Sequence, residues 1–188
     1  MKIVNDLETR ELDIAVIGID LRVPGAKNTE EFWKNICEGK ESLTCFSEEE
    51  LLAAGVSKQV IEDENYLKCA FVLDDVKKFD APFFGYTPRE ASFIDPQQRL
   101  LLESAWKVME SAGYDAEAYD GAVGVFAGTG MSKYLLKNIM TNYHLDHTKD
   151  LRNIWMGNDV NYAATRISYK LNLKGPSVNV QTACSTSL

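Results

Sequence analysis

The sequence predicts an α/β layered domain, and three observations carry that prediction. Residues 13–19 (DIAVIGI), 123–127 and 176–182 are short apolar runs rich in β-branched residues. Each runs into glycine or other small residues, as buried strands do. Between them lie stretches with helical caps and helical apolar spacing, and strands alternating with helices argue for layers of both.

The elements follow in order. Residues 13–19 read as a buried strand ending at Gly18, and Arg22-Val23-Pro24-Gly25 is a turn signal. Asn28 can cap a helix whose first turn holds Glu30 and Glu31; Phe32, Trp33 and Ile36 form its apolar face, and Gly39 ends it. Ser47 with Glu50 is a capping box, predicting a short helix over 48–54 that stops at Gly55. Residues 57–80 read as an acidic loop with a short strand near 69–73. Phe79, Phe83 and Phe84 then give core packing under a loop. Asp95-Pro96-Gln97-Gln98 opens the strongest helix. Asp95 is its cap and Pro96 its first residue, Leu102, Ala105, Trp106, Met109 and Ala112 its apolar face, and Gly113 its stop. Helices are expected over 132–142 and 158–170.

Composition narrows the function. The 188 residues carry 20 Lys plus Arg against 28 Asp plus Glu, a net charge of −8, which argues against gripping nucleic acid or an anionic membrane. All of the excess lies in residues 1–100, and the runs 48–50 and 62–64 read as a solvated face. The longest uncharged stretch is 14 residues of mixed polarity, too short for a spanning helix. The charged N-terminus has no apolar signal region. Cys37, Cys45, Cys69 and Cys184 form no CxxC pair. With His144 and His147 they complete no zinc pattern. Cys37, Cys45 and Cys69 are read as ordinary thiols of a cytoplasmic protein.

Two motifs remain. Gly128-Thr129-Gly130 follows a strand but lacks both the third glycine of a dinucleotide fingerprint and a following Gly-Lys-Ser/Thr, so a tight turn is the better account. Thr182-Ala183-Cys184-Ser185-Thr186-Ser187 differs. Small residues flank the thiol and leave room for a substrate. A helix starting here would place Cys184 at its N-terminus, where free N–H groups stabilise a thiolate and a backbone N–H can serve an oxyanion. On the residues alone, a buried structural thiol stays the default reading and a nucleophile the alternative.

The chain as a whole resembles the N-terminal half of a β-ketoacyl synthase domain, the ketosynthase of modular polyketide synthases. The matching segments run in order: residues 13–18 with Arg22, Pro24 and Gly25; Phe32-Trp33; Phe83-Phe84-Gly85; Pro88-Arg89-Glu90-Ala91; Asp95-Pro96-Gln97-Gln98-Arg99. Glu103, Trp106, Glu110 and Ala112-Gly113-Tyr114 continue it, as do Gly124-Val125-Phe126 with Gly128, Asn158-Asp159, residues 164–169, Gly175-Pro176-Ser177 and residues 182–185. Gln181 stands where many members have Asp, Thr186 where many have Ser, and Ile94 replaces a common Met.

The resemblance implies a thiolase-like α-β-α-β-α fold, of which residues 13–188 are the N-terminal half behind a lead-in over 1–12. It implies that Cys184 is the acyl-accepting nucleophile. The activity implied is acyl transfer followed by decarboxylative Claisen condensation with a malonyl-type thioester. The domain itself is expected to bind no cofactor or metal. Its substrates ride on the phosphopantetheine of an acyl carrier protein, and its other partners are neighbouring synthase domains and a second copy in a homodimer. The family's two catalytic histidines and its lysine belong to the later half, and His144 and His147 do not match their motifs. Residues 1–188 alone are therefore expected not to condense anything. The rival readings are a non-elongating ketosynthase that only passes acyl groups on, and a non-catalytic half-domain.

Overall fold

The computed structural model describes residues 13–142 and 148–186; the lead-in over 1–12 and both histidines lie outside them. The helices are α1 (Thr29–Cys37), α2 (Glu48–Ala53), α3 (Lys58–Ile61), α4 (Pro88–Ser92), α5 (Pro96–Ser111), α6 (Met140–Asn142), α7 (Thr148–Asn158) and α8 (Ala163–Lys170). The strands are β1 (Thr44–Cys45), β2 (Cys69–Ala70), β3 (Val125–Ala127) and β4 (Ser177–Asn179). None of these helices is long and apolar enough to cross a membrane.

Local chemistry sets most helix starts. Asn28 accepts the Glu31 N–H ahead of α1, and Ser47 with Glu50 forms a complete capping box ahead of α2. Asp95 accepts the Gln97 N–H at 2.7 Å, with Pro96 opening α5. Thr87 and Glu90 form a second capping box ahead of α4, a helix not anticipated from the sequence.

Tertiary context overrides the sequence in two places, residues 13–19 and the Cys45–Cys69 pair. Residues 13–19 form no regular element and pair with no strand among the described residues, and Ile14, Val16, Ile17 and Ile19 are exposed. The segment instead lies along α5. Gly18 abuts the Val108 carbonyl and Ala112, and Arg22 pairs with Glu103 at 2.7 Å. The expected helix over 132–142 is present from residue 133, with π-helical bonding over Leu135–Ile139 before α6. The one over 158–170 starts as the 3-10 turn Val160–Tyr162 before α8. Cys45 and Cys69 are not ordinary thiols. They face each other in antiparallel β1 and β2 and are joined by a disulfide, leaving Cys37 and Cys184 free.

The core gathers α5, α8, β3 and the phenylalanine-rich loop. Phe84, Leu102, Ala116, Ile167 and Leu171 are buried together, and Trp106, Met109, Val125 and Ala127 pack onto them. Phe79 stacks on Phe84 at 5.4 Å, while Phe83 meets Trp106 edge-on at 4.8 Å. Leu102 is fully buried, a position where a leucine contributes about 1.5–3 kcal/mol. A smaller cluster of Phe93, Ile139 and Ile154 ties α7 to the end of α4.

β3 and β4 run parallel, with Val125 opposite Ser177, Phe126 opposite Val178 and Ala127 opposite Asn179. The expected strand over 176–182 thus shortens to three residues. One face of the pair packs on α5 and α8, while Phe126 and Val178 on the other are exposed.

Candidate active site

β4 delivers Cys184. Beyond Asn179 the Val180 N–H donates to the Ala127 carbonyl at 2.9 Å, extending the β3–β4 ladder by one bond before the chain turns. The turn is one 3-10 helical turn, Ala183–Ser185. Ala183 has φ of 52°, a left-handed conformation that alanine adopts only when surroundings impose it. The surroundings are hydrogen bonds. The Thr182 N–H donates to Thr186 Oγ1 at 3.0 Å, and Thr186 Oγ1 donates to the Ala183 carbonyl at 2.7 Å. Ser185 Oγ donates to the Thr182 carbonyl at 2.8 Å. Cys184 itself is a free, exposed thiol at the apex. The described residues contain this one turn of helix and no more, so the helix-dipole part of the expectation has no counterpart among them.

The glycines after β3 do more than turn the chain. Gly128 lies against the elbow so closely that a Cβ there would overlap the Thr186 methyl and the Val180 carbonyl oxygen. Gly130 donates its N–H to Gln97 Oε1 at 2.9 Å, and Gln97 Nε2 returns a bond to the Gly130 carbonyl at 3.3 Å. The turn reading therefore misses half of what this motif does. A Gly-x-Gly after one strand and a nucleophile-type turn after another are signals that gain meaning only once β3 and β4 are known to be neighbours.

An apolar depression of about 570 Å³ opens beside the elbow. Met131, Leu135, Leu136 and Val160 supply its walls, and Gln181, three residues before the thiol, lines its edge. Gln181 donates to the Thr129 carbonyl, fixing that edge. Buried polar contacts hold the far side. Ser132 Oγ donates to Asn158 Oδ1 at 2.8 Å, and Asn158 Nδ2 donates to the Phe93 and Ile154 carbonyls, both at 2.7 Å. An exposed cysteine thiol is a nucleophile type suited to attack on an activated carbonyl.

The Asp95-Pro96-Gln97-Gln98-Arg99 run frames this site from behind. Gln97 holds the loop after β3. Buried Gln98 donates to the Asp159 carbonyl at 3.0 Å and accepts from Arg166 Nε at 2.8 Å. Arg99 lies over the rings of Phe79 and Tyr134 at 6.0 and 5.9 Å. One helix N-terminus thus positions the two loops that border the depression. Among the described residues no three His, Cys, Asp or Glu side chains converge as metal ligands would.

Comparison with known proteins places the chain in a family. The family model for the β-ketoacyl synthase N-terminal domain matches residues 11–188. A phenolphthiocerol/phthiocerol polyketide synthase of Mycobacterium tuberculosis is 44% identical over 183 residues, covering 93% of this chain and 12% of that protein. Polyketide synthase PksN of Bacillus subtilis is 41% identical over 177 residues, covering 93% of this chain and 3% of that protein. A crystal structure of ketosynthase twelve from the bacillaene polyketide synthase of Bacillus amyloliquefaciens superposes with a TM-score of 0.79 at 38% identity, covering 93% of this chain and 30% of that one. The chain thus spans a small part of the curated relatives and under a third of the solved ketosynthase. Its fold is the expected thiolase-like one, represented by its N-terminal portion. Residues 11–188 belong to the β-ketoacyl synthase family, in the N-terminal domain of its polyketide synthase ketosynthases.

Proposed function

We propose that this chain supplies the acyl-accepting half of a condensing site in polyketide biosynthesis, with Cys184 as the nucleophile. The observation that carries the reading is the exposed Cys184 thiol on a hydrogen-bonded elbow, three residues after Gln181, which lines an apolar depression. In the first stage the Cys184 thiolate attacks the carbonyl carbon of an acyl thioester carried on the phosphopantetheine of an acyl carrier protein. The tetrahedral intermediate expels the pantetheine thiolate, which takes a proton, and leaves the acyl group on Sγ. In the second stage a malonyl-type thioester loses carbon dioxide. Its carbanion attacks the acyl carbonyl, and the bond to Sγ breaks to restore the thiolate. The product is a β-ketoacyl thioester two carbons longer.

This chain's own contribution is the nucleophile, the rigid turn that presents it and the apolar surface beside it. Groups that bind the malonyl carboxylate and drive its loss are assigned to residues other than these. The partners follow from the chemistry: an acyl carrier protein, neighbouring synthase domains and a second ketosynthase copy. No cofactor is assigned to the domain itself, and a cytoplasmic location is part of the same proposal.

The test is acylation. The native polypeptide is incubated with the N-acetylcysteamine thioester of a short acid, a mimic of the pantetheine arm, and analysed by intact mass and peptide mapping. One acyl group on Cys184, absent in Cys184→Ala, is the expected result. Cys37 is also a free, exposed thiol and serves as the internal control. Acylation of Cys37 alone, or of neither, overturns the assignment.

A further inference from the structure

A second cavity lies on the side of α8 turned away from β4. The inner face of α8 is fixed by its contacts. Ala164 N–H donates to Asn179 Oδ1, Ser168 Oγ bonds Ser177 Oγ, and Ile167 and Leu171 enter the core. Arg166, Tyr169 and Lys170 line a cavity of about 370 Å³ together with Tyr86, Ile94, Met156 and Tyr162. This cavity shares no lining residue with the depression beside Cys184.

Its charges are unusual. Arg166 and Lys170 sit one helical turn apart, and neither forms a salt bridge among the described residues. Arg166 spends three of its N–H groups on neutral acceptors: Gln98 Oε1, the Tyr86 hydroxyl and the Met156 carbonyl. Lys170 Nζ rests 3.7 Å from the centre of the Tyr86 ring and reaches only the Gly85 carbonyl, at 3.5 Å. The one carboxylate in the wall, Glu90, is turned to its helix cap, accepting the Thr87 N–H and hydroxyl. Burial, reinforced by the Arg166 charge and partly offset by Glu90, pulls the Lys170 pKa below its ordinary value, and an anion placed here would favour its charged form.

We propose that this cavity binds a small amphipathic monoanion, a carboxylate on a short apolar tail, with Lys170 and Arg166 holding the head and Tyr86, Ile94, Met156 and Tyr162 enclosing the tail. A carboxylate fits better than a phosphate dianion. Only Lys170 and the remaining N–H groups of Arg166 are available as charged donors, and Glu90 nearby penalises a second negative charge. The aromatic and aliphatic wall with a few convergent polar groups is the usual composition of a small-molecule site.

The test is photolabelling of the native polypeptide with an octanoic acid that carries a diazirine in its tail, followed by peptide mapping. Label is expected on residues 86–94 and 153–170. It should fall about tenfold in Lys170→Met, as the loss of a charge-assisted contact requires, and persist in Lys170→Arg and in Cys184→Ala. Persistence in Cys184→Ala separates this site from the acylation chemistry. Unlabelled octanoate should compete and octanol should not, a comparison made on the unsubstituted protein and independent of how Lys170→Met folds. Label confined to the depression beside Cys184, no label, equal label in Lys170→Met, or equal competition by octanol would each overturn the proposal.

Discussion

Gly128 and Thr186 are in contact across the β3–β4 pair, and the contact is possible because residue 128 has no side chain. The Thr186 side chain is doubly committed there. Its Oγ1 holds the Thr182 N–H and the Ala183 carbonyl, while its methyl occupies the space a Cβ at position 128 would need. The elbow is therefore fastened from inside by its own hydroxyl and braced from outside by a glycine. Gly128→Ala should cost about 1–3 kcal/mol, as overpacking does, and slow acylation of Cys184 by displacing the elbow. Thr186→Ser in the same chain removes the methyl but keeps the hydroxyl. It should recover part of the loss, while the Val180 carbonyl still crowds the new Cβ. Denaturant melts and acylation rates of the two single variants and the double variant measure the coupling. Additive effects would show that the contact does not set the elbow.

Gln98 supports the site from the other side. It is buried, and its amide satisfies both the Asp159 carbonyl and Arg166 Nε. Gln98→Ala leaves the Asp159 carbonyl with the Tyr162 N–H alone and removes the acceptor of Arg166 Nε, and a partly buried guanidinium donor is costly to leave unmet. The expected loss is about 2–4 kcal/mol in unfolding free energy. Asp159 and Val160 line the depression, so the variant should also weaken use of the acyl donor through KM more than through the chemical step. A variant as stable as the parent, with unchanged KM, would remove Gln98 from the positioning role.

The sequence makes some of this architecture readable and hides the rest for identifiable reasons. Caps are local, so Asn28, Ser47 and Asp95 announce their helices within a few residues. The chemistry-bearing turn is also local: a β-branched run into small residues around Cys184. Pairing is not local. Residues 13–19 have a strand's composition, yet they pair with no strand among the described residues, and Gly18 lies against α5 instead. Helix α7 carries Gly157 near its end, where the backbone closes on the Phe93 carbonyl, so helical spacing alone does not reveal it. Gly128 and Gly130 read as a bare turn because their partners, Thr186 and Gln97, stand 58 and 33 residues away.

The Cys45–Cys69 bond is the same kind of non-local fact. The two residues are 24 apart in sequence and opposite each other in register. Alkylation of the denatured, unreduced protein should therefore modify two cysteines, Cys37 and Cys184, and all four only after reduction. Closing a loop of this length contributes about 3.5 kcal/mol through the unfolded chain. Cys45→Ser should lower stability by up to that amount and leave acylation of Cys184 unchanged, because the β1–β2 ribbon touches neither the elbow nor the depression. Four alkylated cysteines without reductant would sink this prediction.

The Thr87–Glu90 capping box gives the fold an acid-sensitive contact. The Thr87 N–H, then its hydroxyl, bonds the Glu90 carboxylate and holds its pKa below the ordinary value of 4.5, with a smaller contribution from the Lys170 charge. A carboxyl group with a depressed folded-state pKa stabilises the fold when ionised. That stabilisation is complete above the unfolded value and is lost as pH falls through the folded one. Glu90→Gln keeps an oxygen acceptor but removes the charge. It should lower stability by about 0.5 kcal/mol at neutral pH, a cap-sized effect reduced by solvent screening. It should also flatten the stability profile below pH 4.5, where the parent loses this contribution and the variant has none to lose. Urea melts at a series of pH values between neutrality and that limb measure both effects. Parallel curves for parent and variant across the acid limb would show that Glu90 carries no acid-sensitive stabilisation.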